Sequence, residues 1–190
     1  MEGETITLPI GENEHKVIGW AIPKMGEKHV PMWIPRGNLG DDHVQFEMLF
    51  SGICHTDCHK GQNQFGNAKY PYVAGHELCG RVTAVGKNVT DIKEGDIVGV
   101  GCISDSCMDC SMCANGDENY CMKGMTETYG SDRKYGRYPG NQDLPTYGGY
   151  SEENVIHQHF VFKIPEGIPA EFAAPILCAG VTMYDPLRHW

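Results

Sequence analysis

No apolar run in the 190 residues approaches the roughly 18 that a membrane-spanning helix needs. Its opening residues, 1–11, carry acids instead of an apolar stretch flanked by basic side chains, so no signal peptide is read and the expected location is cytoplasmic. Basic residues are scarce: 15 Lys and Arg stand against 25 Asp and Glu, a formal charge of −10. That balance argues against nucleic acid or an anionic membrane as partner and suits small uncharged substrates. Internal repeats are lacking, and so is a G-x-G-x-x-G following a strand. Gly99-Val100-Gly101 has no third glycine and precedes a cysteine-rich stretch rather than a helix.

Cysteine, by contrast, is plentiful. Nine cysteines without a secretion signal point to metal or redox chemistry, and an odd number cannot all pair in disulfides. Cys107, Cys110, Cys113 and Cys121 follow a C-x2-C-x2-C-x7-C spacing within a stretch too rich in Gly, Asp and Ser to be regular structure. Four thiolates converging from a short irregular lobe match a closed structural zinc site. An iron–sulfur cluster and a redox disulfide are the rivals, although Met122 stands where a ferredoxin pattern has proline after its fourth cysteine.

A second stretch, residues 52–77, opens with Cys54-His55-Thr56-Asp57 and closes with Gly75-His76-Glu77. Thiolate and imidazole are preferred zinc ligands, and a catalytic zinc takes three protein ligands plus an open position, so a third must come from elsewhere in the chain. The alternation in residues 44–50 predicts a half-buried strand running into Cys54. Further strands are expected at residues 17–21, 81–85, 96–100, 150–155 and 160–165, separated by glycine and by a long polar loop over 124–149. Closely spaced short strands favour a small antiparallel β-barrel or sandwich. Alanine-rich segments at 170–174 and 178–184 then predict helices. Cys58 and His59 are set aside as a competing metal pair, Cys79 and Cys102 read as core filler, and His15, His29, His43, His157, His159 and His189 as surface or turn residues.

From residue 52 onward the chain resembles the zinc-dependent alcohol dehydrogenases of the medium-chain dehydrogenase/reductase superfamily, in particular the cinnamyl alcohol dehydrogenase-like branch. Gly52-Ile53-Cys54-His55-Thr56-Asp57, Tyr70-Pro71-x3-Gly75-His76-Glu77, Gly95-Asp96-x-Val98-Gly99-Val100, the quartet, Gly148-Gly149-Tyr150 and Ala174-Pro175-x2-Cys178-Ala179-Gly180 carry the resemblance. It implies Cys54, His76 and Cys178 as ligands of a catalytic zinc, with Glu77 beside the metal as a transient ligand. It also implies Thr56 as a proton-relaying hydroxyl, Asp57 as the group orienting His76, and His55 as a contact to the cofactor pyrophosphate or a further proton carrier. Two zinc ions per chain and NADP as cofactor follow from the same resemblance.

The fold expected is therefore mainly β with short helices: a GroES-like antiparallel β-barrel domain over residues 1–164, with a zinc-binding lobe at 102–122. Residues 165–190 are expected to form the first helices leading into a dinucleotide-binding Rossmann domain that lies outside this sequence. The expected function is interconversion of primary alcohols and aldehydes with NADP(H), on small-molecule substrates. The alternative is a non-enzymatic zinc-binding β-domain lacking its cofactor half. The family usually forms homodimers, through the domain not contained here.

Overall fold

A computed structural model describes residues 5–190. Eleven strands and four α-helices make up its regular elements among the described residues. The strands distribute over three sheets. One sheet has the order β1 (Ile6–Thr7), β3 (Val30–Gly37), β2 (Glu14–Ile22), β5 (Tyr72–Val73). Its β2 and β3 pair antiparallel from Glu14 opposite Gly37 to Ala21 opposite Val30. Val17, Ala21, Met32, Ile34 and Val73 form one core with Tyr147.

The second sheet has the order β10 (Glu153–His157), β4 (His43–Ser51), β6 (Leu78–Val85), β7 (Ile97–Val100), β11 (Phe162–Lys163). In β4 the alternation has its predicted consequence: Val44 and Phe46 are fully buried while Glu47 between Phe46 and Met48 is exposed. They pack with Leu78, Val82, Val98, Val100 and Ile156 into the main core. Register shifts interrupt the β4–β6 ladder between Gln45 and Phe46 and between Met48 and Phe50. Such bulges re-aim a strand end, and here the re-aimed end leads into Cys54.

A third, two-stranded sheet joins β8 (Ile103–Asp105) to β9 (Thr126–Glu127), so it straddles the cysteine lobe. The lobe also contains the short helix α2 (Ser111–Ala114), more regular structure than its composition predicts. Helix α1 (His55–Gly61) begins soon after β4 ends at Ser51.

At the far end, α3 (Ala170–Pro175) passes through a widened π-helical turn (Ile176–Gly180) into α4 (Val181–His189). Ala173 and Ala174 bury against Cys79, next to Ile97 and Ile164. Among the described residues no helix is long and apolar enough to cross a membrane.

Candidate metal centres

Cys54 occupies the N-cap of α1 in extended backbone conformation, φ −113 and ψ 151. Its N–H donates to Asp57 Oδ2 at 3.0 Å, within a reciprocal capping box that fixes the turn. Asp57 is buried and accepts three further hydrogen bonds: from Gly75 N–H at 3.1 Å, His76 Nδ1 at 3.1 Å and the Tyr150 hydroxyl at 3.0 Å. Burial alone would raise its pKa, but the bonds from His76 and from the Cys54 and Gly75 amides win, holding the carboxyl below its ordinary value. An ionised Asp57 keeps the proton on His76 Nδ1 and leaves Nε2 free to act as a ligand atom.

His76 sits on a tight turn built by Gly75, whose φ of +99 suits glycine and whose Cβ, if present, would lie 2.8 Å from Gly149 N. Gly52 is equally constrained: a Cβ there would meet Glu77 Oε2 at 1.7 Å. From the other end of the chain, Leu177 packs against Gly99, whose added Cβ would meet it at 2.7 Å, and this seats Cys178 in the π turn. The result is that ligand atoms of Cys54, His76, Glu77 and Cys178 all lie within 4.8 Å of one another.

The electrostatics of the cluster suit a cation. Burial, reinforced by the neighbouring Cys102 and Cys54 sulfurs, pushes the Cys178 thiol up to about 12. Burial likewise raises Glu77. Cys54 goes the other way: burial would raise it, but bonds with Thr56 and His76 bring it below the ordinary thiol value. Crowding and burial disfavour the ionised forms of Cys178 and Glu77, and a divalent metal would reverse that by stabilising their anions while the imidazole donates a neutral lone pair. The donor set fits zinc.

The Thr56 hydroxyl lies 3.5 Å from Cys54 Sγ, at the edge of the cluster. His55 is exposed and stacks on His59, with ring centroids 4.4 Å apart. Cys58 is exposed and His59 bonds Gln64, so neither joins the metal cluster.

In the lobe, the ligand atoms of Cys107, Cys110, Cys113 and Cys121 also lie within 4.8 Å of one another. Cys107 and Cys113 sulfurs are 3.8 Å apart, Cys110 and Cys113 sulfurs 3.6 Å. These separations exceed the roughly 2.05 Å of a disulfide bond, and all nine cysteines are free. A tetrahedron with zinc–sulfur bonds of about 2.3 Å has edges of about 3.8 Å, close to these separations. Backbone N–H groups of Cys113 and Met122 hold the Cys110 thiol down to about 6. Tyr135 adds its hydroxyl 3.8 Å from Cys121 Sγ.

Several neighbours of the first cluster escape a reading of spacing. The Tyr129 ring stacks on His76 at 4.9 Å and 24°. On Tyr129 lies the ammonium of buried Lys60, 4.6 Å from the ring centroid and ion-paired with Glu127. Cys102, expected as core filler, is half-buried, and burial raises its thiol above the ordinary value. His43, expected at the surface, is buried, because its strand places it inside the second sheet. Beside α1, a cleft of about 980 Å³ is lined by Trp20, Phe50, Ile53, Cys58 and Tyr150; it shares Asp57 with the metal cluster but none of the four ligand candidates.

Comparison with known proteins agrees with this architecture. The Alcohol dehydrogenase GroES-like domain family matches residues 40–166. An NADP-dependent alcohol dehydrogenase C from Mycobacterium bovis is 47% identical over 174 residues, covering 92% of this chain and 48% of that protein. A cinnamyl alcohol dehydrogenase structure from Sorghum bicolor superposes with a TM-score of 0.86 at 42% identity, over 92% of this chain and 48% of that one. A cinnamyl alcohol dehydrogenase from Helicobacter pylori, complexed with NADP(H), gives a TM-score of 0.86 at 35% identity, over 93% and 49%. The chain thus spans about half the length of the relatives it matches. It is a mainly β, GroES-like chain of the medium-chain alcohol dehydrogenases and belongs to the Alcohol dehydrogenase GroES-like domain family, with the cinnamyl alcohol dehydrogenases among its relatives.

Proposed function

We propose that Cys54, His76 and Cys178 hold a catalytic zinc with Glu77 as its transient ligand, that Cys107, Cys110, Cys113 and Cys121 hold a structural zinc, and that the protein interconverts primary alcohols and aldehydes using NADP(H). The single observation carrying this reading is the convergence, within 4.8 Å, of four donors drawn from positions 54, 76, 77 and 178. In this reading residues 1–164 are the catalytic domain, with its zinc lobe at 102–122, and residues 165–190 lead toward a dinucleotide-binding domain. NADP is supported by the relatives: the Mycobacterium bovis protein is an NADP-dependent alcohol dehydrogenase, and the Helicobacter pylori structure is complexed with NADP(H).

When bound, zinc supplies a Lewis acid that makes an alcohol proton easier to remove and an aldehyde carbonyl easier to reduce, and NADP supplies the hydride acceptor. The chain's own residues do the rest. Asp57 fixes the ring of His76 through Nδ1. Thr56, beside Cys54, takes the proton of the substrate hydroxyl, and exposed His55 passes it toward solvent or contacts the cofactor pyrophosphate. Tyr129, packed flat on His76, shields that ligand from water.

The test is NADPH consumption in the presence of an aromatic aldehyde. Thr56→Val should cut turnover by roughly 10²-fold or more while leaving zinc content unchanged. Turnover indifferent to both Thr56→Val and Cys54→Ser would overturn the assignment. Zinc binding without turnover even when residues 1–190 are joined to a dinucleotide-binding domain would instead mark a non-enzymatic zinc-binding β-domain.

A further inference from the structure

Two arginines are enclosed where the first sheet meets the loop over residues 124–149. Arg36, on β3, is fully buried. Its Nη1 donates to the Tyr147 carbonyl and its Nη2 to Ser151 Oγ, each at 2.9 Å, while its buried Nε meets no acceptor among the described residues. The Arg133 side chain has no exposed surface. Its Nη1 donates to the carbonyls of Asn141 at 2.6 Å and Pro139 at 3.4 Å, and its Nε and Nη2 are buried without an acceptor. The guanidinium lies 4.4 Å over the Tyr138 ring, and the Tyr138 hydroxyl is a fourth buried polar group without a partner.

Charge does not balance here. Among the described residues Glu14 is the one carboxylate paired with Arg133, with Oε1 3.9 Å from Nη1. Its oxygens already accept the N–H groups of Gly11 at 2.8 Å and Asn141 at 2.7 Å. Two guanidiniums against one carboxylate leave one positive charge in a buried setting, and both guanidiniums act on the fully buried Tyr147. Burial, with the like charge of Arg36 adding to it, holds Arg133 below its ordinary pKa. Charge buried without a counter-ion is strongly unfavourable.

We propose that this buried arginine pair binds a small inorganic monoanion of halide size, held by the Nε and Nη2 of Arg133, the Nε of Arg36 and the Tyr138 hydroxyl. The unpartnered guanidinium groups are all donors, as an anion requires. A neutral water would satisfy some of the N–H groups but leave the residual charge. Enclosure on all sides selects a small ion. The anion clamps the 124–149 loop to β2 and β3, and that loop supplies Tyr129 to His76, with Tyr150 just beyond it reaching Asp57.

Crystals of the zinc-loaded protein grown in bromide test this by anomalous diffraction. A bromide peak within about 3.5 Å of Arg133 Nε or Nη2 is expected. Bromide found at exposed lysines alone, an adventitious ion only, or ordinary water density between the arginines, overturns the proposal. In solution, the melting temperature of the zinc-loaded protein should rise by about 3 °C in saturating chloride relative to gluconate of equal ionic strength. Arg133→Met should abolish that difference, separating this site from any chloride effect at zinc. Equal melting temperatures of the unmodified protein in the two salts would contradict it even if the variant fails to fold.

Discussion

Asp57 carries more of the first cluster's geometry than any other single side chain, since one carboxylate caps α1, receives the Gly75 turn, orients His76 and anchors Tyr150. Asp57→Asn keeps the shape but removes the charge and one pair of acceptor positions. Zinc affinity at this centre, measured by competition with a chelator, should fall about 10- to 100-fold. Tyr150→Phe deletes one of the four bonds and should have a smaller effect. Gly75 makes a different kind of contribution. At φ +99, and with Gly149 N in the path of a Cβ, Gly75→Ala should lower stability by about 1–3 kcal/mol, read as a lower denaturation midpoint at unchanged slope. At this scale the sequence is most legible where chemistry itself is unusual: Cys54, His76 and the quartet stand out by residue type and spacing. Tyr129 and Lys60 do not. Their positions 69 residues apart become one stack on His76 only after β9 and α1 are placed, and an aromatic or a lysine carries no signal of its own.

The strands follow the periodicity that predicts them, because a half-buried sheet leaves a period-two trace, as in Val44, Phe46 and Glu47. Short elements leave none. Helix α1 spans seven residues, His55–Gly61, composed of modest helix formers, and it exists because Asp57 caps it and tertiary contacts hold it. Strands β8 and β9 have three and two residues, too few for any pattern. The β4–β10 pair yields a pH prediction. His43 and His157 face each other across it, rings 5.5 Å apart and edge-on, with Asp42, Asp105 and Arg137 as the charged groups acting on them. His43 donates from Nε2 to the Arg137 carbonyl at 2.7 Å, and its buried Nδ1 has no partner among the described residues. Burial depresses both pKa values below 6.5, and the neighbouring His43 lowers that of His157 further. The folded state therefore binds fewer protons than the unfolded state just below that value, so stability is present above about pH 6.5 and falls as pH drops through the folded-state pKa values. Denaturation midpoints compared at pH 7.5 and 5.5 should show a smaller acid loss for His43→Gln than for the unmodified protein, whereas equal losses would place the sensitivity elsewhere.

Across the whole molecule, two cysteine-bearing centres are built on different principles. The lobe gathers its four sulfurs from within 15 consecutive residues, 107–121, whereas the other centre closes only when Cys178 on the π turn returns to Cys54 and His76 through the packing of α3 on the second sheet. The first should therefore respond to local change and the second to changes in distant packing. Cys113→Ser should free the lobe for proteolysis while sparing metal at the Cys54 centre. The central claim is that both clusters are zinc sites, and metal analysis of the dialysed protein tests it most directly. Two zinc ions per chain are expected, falling to one in Cys54→Ser and to one in Cys113→Ser. One zinc or none in the unmodified protein would contradict it.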